Sequence, residues 1–265
     1  MSRNNRCAFA SLVVMTLVTI LPRRVAEGQT TPPGAGAVEK VQPYTAEFTI
    51  TNVQTLPNGT TITKQTRLVE ARDSESRTLR ETSELPAQTD RPANTVAMVG
   101  DPVDGTNIIW LSRNHQAFLR KLPSPEQRHG CWTTDTGSFA ANYDPIQSPN
   151  AAAQKSAVER PVVEDLGTTM INGVETHGHR RTTTTSAGAI GNDAPLVSSD
   201  EYWQAPSLGD LTLRSENDDP KTGKQTRKLV RLSLSEPDPA IFQAPQDYQV
   251  VTQEMHQVPC QELAY

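Results

Sequence analysis

The stretch Val163-Glu-Asp-Leu-Gly167, running on through Thr168-Thr-Met-Ile171 to Asn172-Gly173-Val174, decides the fold. It reads as a β-strand that reaches a tight turn at Asn172-Gly173 and returns from Val174 into the run Thr182-Thr-Thr-Thr185. The same grammar continues downstream. Ser199-Asp-Glu-Tyr-Trp203 is the next strand, and Asp210-Leu-Thr-Leu-Arg-Ser215 follows it. The turn Asp218-Asp-Pro-Lys-Thr-Gly223 leads into a strand over 224–234, and residues 236–248 close the unit. Consecutive strands joined by short turns predict an antiparallel scaffold, and a scaffold alone carries no chemistry.

Upstream the pattern repeats. Tyr44, Ala46, Phe48 and Ile50 alternate with Thr45, Glu47, Thr49 and Thr51, so one face of this strand is buried and the other wet. Pro57-Asn58-Gly59 is a hairpin signal, read here with both Asn58 and Gly59 at positive φ. Asn58-Gly-Thr60 is also a glycosylation sequon, although the turn explains it. Strands are expected over 60–70, 76–82, 95–100, 106–112 and 116–121, with turns at 101–105 and at Arg113-Asn114. From Pro123 to Pro161 the strand pattern disappears. Within it Ser148-Pro149 and the following alanines predict a short helix to Val158, with Ser148 as cap and Pro149 in the first turn. A second, one-turn helix is expected at Asp238-Pro-Ala-Ile-Phe242. The fold class is therefore mainly β: a curved antiparallel sheet with one or two short helices. A structureless insertion of this length is long for a connector and is either a lid or decoration.

Several of these segments together resemble a group of uncharacterised secreted proteins of acidobacteria-type soil bacteria, over about residues 44–250. They are Val163-Glu-Asp-Leu-Gly-Thr168, Asn172-Gly-Val174, the threonine run, Gly191-Asn-Asp193, Tyr202-Trp203, residues 215–223, and Asp238-Pro-Ala-Ile-Phe242 with Pro245-Gln-Asp-Tyr248. More distantly, the strand order and the closing Phe-x-x-Pro-x-x-Tyr element are similar to periplasmic lipoprotein-carrier (LolA-like) half-barrels. That resemblance implies a half-barrel-like sheet and an apolar ligand. Neither group offers a catalytic signature.

Residues 1–28 read as a secretory signal: Arg3 and Arg6 form a basic start, an apolar run follows from Ala8 to Leu21, and Ala26-Glu-Gly28 supplies small residues for cleavage. The apolar run is short for a span, although Pro22-Arg23-Arg24 leaves an uncleaved anchor as the alternative. Residues 29–43, rich in Thr, Pro, Gly and Ala, are expected to be a disordered linker. Domain 44–250 would then carry the insertion 123–161, and 251–265 would be a C-terminal tail, loose unless Cys260 ties it down. Cleavage removes four of the 25 basic and one of the 30 acidic residues, leaving 21 against 29 and a net charge of −8. That balance argues against nucleic acid and against anionic headgroups. It fits an exported, periplasmic or extracellular protein with no membrane span after cleavage. Cys131 and Cys260 would remain, an even count in an oxidising compartment, and are expected to pair; two unpaired thiols are the alternative.

Chemistry-bearing patterns are few. His177-Gly-His179 places two imidazoles on one strand face, the spacing a metal would need. No third ligand stands in a matched position, and Arg180 and Arg181 flank the pair. The reading is therefore no metal, with His177 and His179 as a weak candidate pair. Glu164-Asp165 point to opposite faces, and Asp218-Asp219 suit a turn. Phosphate-loop, nucleophile-elbow and dinucleotide motifs are absent from the sequence, so no catalytic residue and no cofactor is expected. Ile108-Ile-Trp-Leu111 is apolar on both faces and must be covered twice. These four residues are either core beneath the insertion or the floor of a groove for an acyl chain or peptide. The leading reading is a non-catalytic protein binding an apolar small molecule or lipid. The alternatives are an envelope module acting through protein partners and an unrecognised hydrolase.

Overall fold

The structure is a computed structural model and describes residues 41–85, 93–136, 139–143 and 160–260. The signal expected at 1–28, most of the linker 29–43 and the helix expected at 148–158 lie outside the described residues. In chain order the strands are β1 (Tyr44–Thr55), β2 (Thr61–Arg72), β3 (Thr78–Glu84), β4 (Thr95–Asp101) and β5 (Thr106–Leu111). They continue as β6 (Gln116–Lys121), β7 (Cys131–Thr134), β8 (Ala140–Asn142), β9 (Val162–Ile171) and β10 (Val174–Thr185). The last five are β11 (Leu196–Ala205), β12 (Leu211–Asp219), β13 (Gly223–Ser233), β14 (Gln249–Gln253) and β15 (Met255–Val258).

Twelve of them form one curved, open sheet in the order β14-β6-β5-β4-β3-β2-β1-β13-β12-β11-β10-β9. Most neighbours are consecutive in sequence, β1 pairs with the distant β13, and antiparallel pairing holds throughout except at β14, which runs parallel to β6. The fold class read from the sequence holds, with helical structure limited among the described residues to three 3-10 turns. Asn172 and Gly173 both adopt positive φ, as a two-residue hairpin turn requires. The first hairpin differs from its expectation. At Asn58-Gly59 only Gly59 is at positive φ, and the wider loop is closed by the Leu56 amide donating to the Thr60 carbonyl.

Directly opposed residues in an antiparallel pair share a face, and by that rule the sheet carries a core on each side. Tyr44, Ala46 and Phe48 lie with Leu68 on one face, covered by Leu208 of the 3-10 turn Pro206–Leu208 and by Leu211 and Leu213. Ala71, Leu79, Ala97, Val99, Trp110 and Ala117 lie on the other face under Phe242. Phe242 belongs to the 3-10 turn Pro239–Phe242. Its start is capped by Asp238, whose carboxylate accepts from the Ala240 amide at 2.9 Å. This one-turn helix matches its expectation. Alternation puts residues 68 and 71 of β2 on opposite faces, so this strand feeds both cores.

Two stretches differ from the sequence reading. The insertion 123–161 contains β7 and β8, which are too short to show a period of two. The stretch 251–265, read as a tail, supplies part of β14 and all of β15. β15 pairs with β7 in a separate three-stranded sheet, β15-β7-β8. The expected Cys131–Cys260 disulfide locks that sheet, with Cα atoms 5.1 Å apart across a sequence separation of 129. Buried Arg120 of β6 donates from Nε to Gln253 of β14 at 2.8 Å and lies 4.6 Å from the ring centroid of Phe139, which precedes β8. Burial pushes the Arg120 guanidinium below its ordinary pKa.

Candidate functional site

The doubly apolar run 108–111 lies on β5, between β4 and β6, and its two faces have different fates. Trp110 is buried in a cluster that includes Phe242 of the closing segment, and Ile108, Ile241 and Tyr248 pack against that cluster. Trp110 and Ile108 therefore belong to a core to which the segment around 239–248 contributes cover; most of the insertion 123–161 lies outside the described residues. Ile109 and Leu111 point the other way and are only half-buried. Ile109 opposes Met98 on β4 and Phe118 on β6, while Leu111 opposes Val96. Met98 is 45% exposed. An apolar strip, Val96, Met98, Ile109, Leu111 and Phe118, thus crosses three strands on the face that also carries Phe48.

At the edge of that strip lies a cavity of about 480 Å³, lined by Tyr44, Glu70, Arg80, Met98, Asn107 and Arg227 among others, and bounded by residues 209–212. Strand register explains the gathering. Glu70 opposes Ala46 on one side and Arg80 on the other, and so shares the Phe48 face with both. Glu70 accepts from Arg80 and, at 2.6 Å, from Arg227. The Arg227 guanidinium also sits 3.7 Å from the Phe48 ring centroid. Burial, followed by the nearby Glu70 charge, pushes the Tyr44 phenol above its ordinary pKa and keeps it a neutral donor. Two buried polar atoms of this lining, Arg227 Nε and Asn107 Oδ1, have no hydrogen-bond partner among the described residues. A donor and an acceptor are therefore buried without a partner where apolar surface meets charge. The sequence held no signal for this cluster, because its members come from β1, β2, β3, β5 and β13 and meet only through register.

His177 and His179 do share a face of β10, with ring centroids 4.5 Å apart. A register shift on β9 places Asp165 opposite His179, and Gly167, at positive φ, opposite Gly178. His177 Nε2 lies 2.8 Å from Asp165 Oδ1. The third polar ligand that sequence spacing did not supply is thus present. Arg180 points to the opposite face and pairs with Glu164 at 3.3 Å and Glu201 at 2.9 Å. Gly178 has no side chain for a concrete reason: a Cβ there would lie 2.7 Å from Trp203 Cη2 and Cζ3. The Asp218-Asp219 pair ends β12, where the Asp219 carboxylate accepts from the Lys221 amide at 2.7 Å, as turn chemistry requires.

No family model and no curated protein matches the chain. Solved structures resemble it distantly. A LolA superfamily protein from Nitrosomonas europaea is 11% identical, with a TM-score of 0.31, over 77% of this chain and 91% of that one. Lipoprotein LppX of Mycobacterium tuberculosis is 12% identical, with a TM-score of 0.27, over 72% and 85%. LprF of Mycobacterium bovis is 13% identical, with a TM-score of 0.25, over 74% and 90%. The chain thus bears a distant LolA-like resemblance, and a likeness of this size assigns it neither function nor residue roles.

Proposed function

We propose that the protein is an exported, non-catalytic binding protein for an amphiphile, with an acyl chain on the apolar strip and a polar headgroup in the adjoining cavity. The carrying observation is the continuity of the two. Half-exposed Met98 lines the cavity and also opposes Ile109, which opposes Phe118. A monomeric surface rarely leaves such apolar area without use. Burying each methylene of a chain on that strip contributes about 0.8 kcal/mol. Arg227 Nε and Asn107 Oδ1 offer a headgroup one donor and one acceptor. The Cys131–Cys260 disulfide fits an oxidising compartment outside the cytoplasm.

The test is native mass spectrometry of protein taken from its own envelope, with displacement of an anthroyloxy-labelled C18 fatty acid as the second readout. Expected are a co-purifying amphiphile and probe binding that Met98→Glu weakens at least tenfold. A chain without adduct that also leaves the probe free refutes the reading.

A second reading has one specific support. β9 is an edge strand of the sheet, and Val162, Val163 and Met170 on it are exposed. An unpaired edge is a template for adding a partner strand, as an envelope interaction module would use. Cross-linking from β9 to an envelope protein, with no amphiphile bound, favours this reading over the first.

A further inference from the structure

We propose that Asp165, His177 and His179 form a binding site for a divalent transition-metal ion of the zinc class, independent of the amphiphile groove. Their ligand atoms all lie within 4.8 Å of one another, and among the described residues no other group of three or more potential ligands is so arranged. A tetrahedral ion with ligands at about 2.1 Å needs them about 3.4 Å apart. The site brackets that figure, with His177 Nε2 already 2.8 Å from Asp165 Oδ1. Small rotations about side-chain bonds close the rest.

The backbone holds the three groups together by a specific device. At Gly178/His179 the β9–β10 register slips by one residue, so Asp165 rather than Leu166 stands opposite His179. Gly167 takes the positive φ that the slip requires, and its amide donates to Asp165 at 2.7 Å. That hydrogen bond orients the carboxylate, as outer partners of metal ligands do. Behind Gly178 the buried Trp203 ring leaves β10 no room to shift away.

The charge environment is permissive. Arg180 is turned to the opposite face and bound by Glu164 and Glu201. By alternation Arg181 shares the ligand face beyond His179, where Asp200 opposes it on β11, and Glu175 shares the face beyond His177. Tyr202 stands 5.7 Å from His179. Two imidazoles and one carboxylate suit zinc, copper or nickel, not calcium or magnesium. All three ligands reach solvent, which leaves the remaining position to water. Bound metal would replace the proton shared by His177 and Asp165 and would clamp edge strand β9 to β10.

Two other contacts provide internal controls. His115 meets Asp247 at 3.0 Å and His256 meets Asp135 at 3.2 Å, each without a second imidazole. The experiment is calorimetric titration of tag-free, EDTA-stripped full chain with zinc chloride, with magnesium and calcium chloride for comparison. One zinc per chain is expected, with no uptake of magnesium or calcium. His177→Ala and His179→Ala should each weaken zinc binding at least roughly tenfold, and the double variant H115A/H256A should leave it unchanged. Because a variant could unfold, wild-type protein is also titrated while its imidazole proton resonances are followed. The signals of His177 and His179 should shift while those of His115, His129 and His256 stay in place. Absent zinc uptake, uptake that survives both single variants, or movement of the other imidazoles instead would overturn the proposal.

Discussion

Breaking the Cys131–Cys260 bridge should loosen one end of the molecule and lower the stability of the whole. The bridge spans a separation of 129 residues. The chain-entropy relation for a loop of that length gives about 5 kcal/mol at 25 °C as an upper figure. At about 2–4 °C per kcal/mol for a chain of this size, the unfolding midpoint should fall by roughly 10–20 °C. The losses should not be uniform. β15 pairs with the four residues of β7 and is held further by the bridge and by the His256–Asp135 and Gln257–His129 contacts, whereas β1 pairs along its length with both β2 and β13. Reduction of the folded protein should therefore speed amide exchange in β7 and β15 first. β14 keeps its ladder to β6 and the Arg120–Gln253 contact, and should respond less. The assay is thermal unfolding with and without reductant, paired with hydrogen exchange, and repeated on C131A/C260A so that thiol effects cancel. If the midpoint moves by less than about 2 °C, the loop-closure reasoning fails. Exchange that rises equally in β1 and β15 would refute the local part.

Gly178→Ala places a methyl group against the Trp203 ring and should cost about 1–3 kcal/mol of overpacking; urea unfolding with an unchanged midpoint would show that β10 can move after all. Glu70→Gln leaves Arg80 and Arg227 without their counter-charge, and should cost about 2 kcal/mol while strengthening binding of an anionic fatty-acid probe. Probe titration read beside urea unfolding checks both, and a weaker probe would place the headgroup elsewhere. Glu47 is held below the usual carboxylate range, first by the hydrogen bond from Arg67 at 2.8 Å. A depressed folded-state pKa contributes stability above the ordinary value of about 4.3 and loses it as pH falls through the folded value. Glu47→Gln should therefore flatten the acid limb of the stability curve by less than about 1 kcal/mol, in urea midpoints taken between pH 7 and pH 3; an unchanged acid slope sinks the assignment.

What could be read along the chain was whatever is local. Alternation at Tyr44, Ala46 and Phe48 and the Asn172-Gly173 turn depend on neighbours a few residues away, and both are found where expected. The closing 3-10 turn is likewise local, because Asp238 caps it from within. The two sites depend instead on register. A slip at Leu166-Gly167 brings Asp165 to the histidines, and no residue pattern there distinguishes a slip from a regular strand. Glu70, Arg80 and Arg227 are separated by up to 157 positions along the chain, yet Glu70 bridges both arginines. β7 was illegible for a related reason. Four residues, Cys131-Trp-Thr-Thr134, are too few to show a period, and their partner β15 lies at the far end of the described chain.

The lean composition bears on where a groove can form. With aromatics at 5% of the chain, the core relies on a few large side chains seated among small ones. Trp110 is opposed on one side by Ala97 and on the other by Ala117, both fully buried, so its large ring is seated between two small side chains in the cluster that includes Phe242. That arrangement completes one face of β4, β5 and β6. On their other face Met98, Ile109 and Phe118 oppose one another in a row with no alanine between them. Met98 is 45% exposed while Ile109 and Phe118 are half-buried, so this face is less completely covered than the other. The 3-10 turn Pro206–Leu208 reaches Phe48 and Leu68 on that side of the sheet. Its continuation through Gly209 and Asp210 bounds the cavity and packs near Arg72. Among the described residues the cover given by this turn ends at the Glu70 cluster, and the apolar strip continues beyond it across three strands. An amphiphile whose headgroup meets Arg227 and whose chain runs toward Phe118 would extend that cover by its own length. Shortening the chain of a bound probe should therefore weaken it methylene by methylene, until the apolar strip no longer determines affinity.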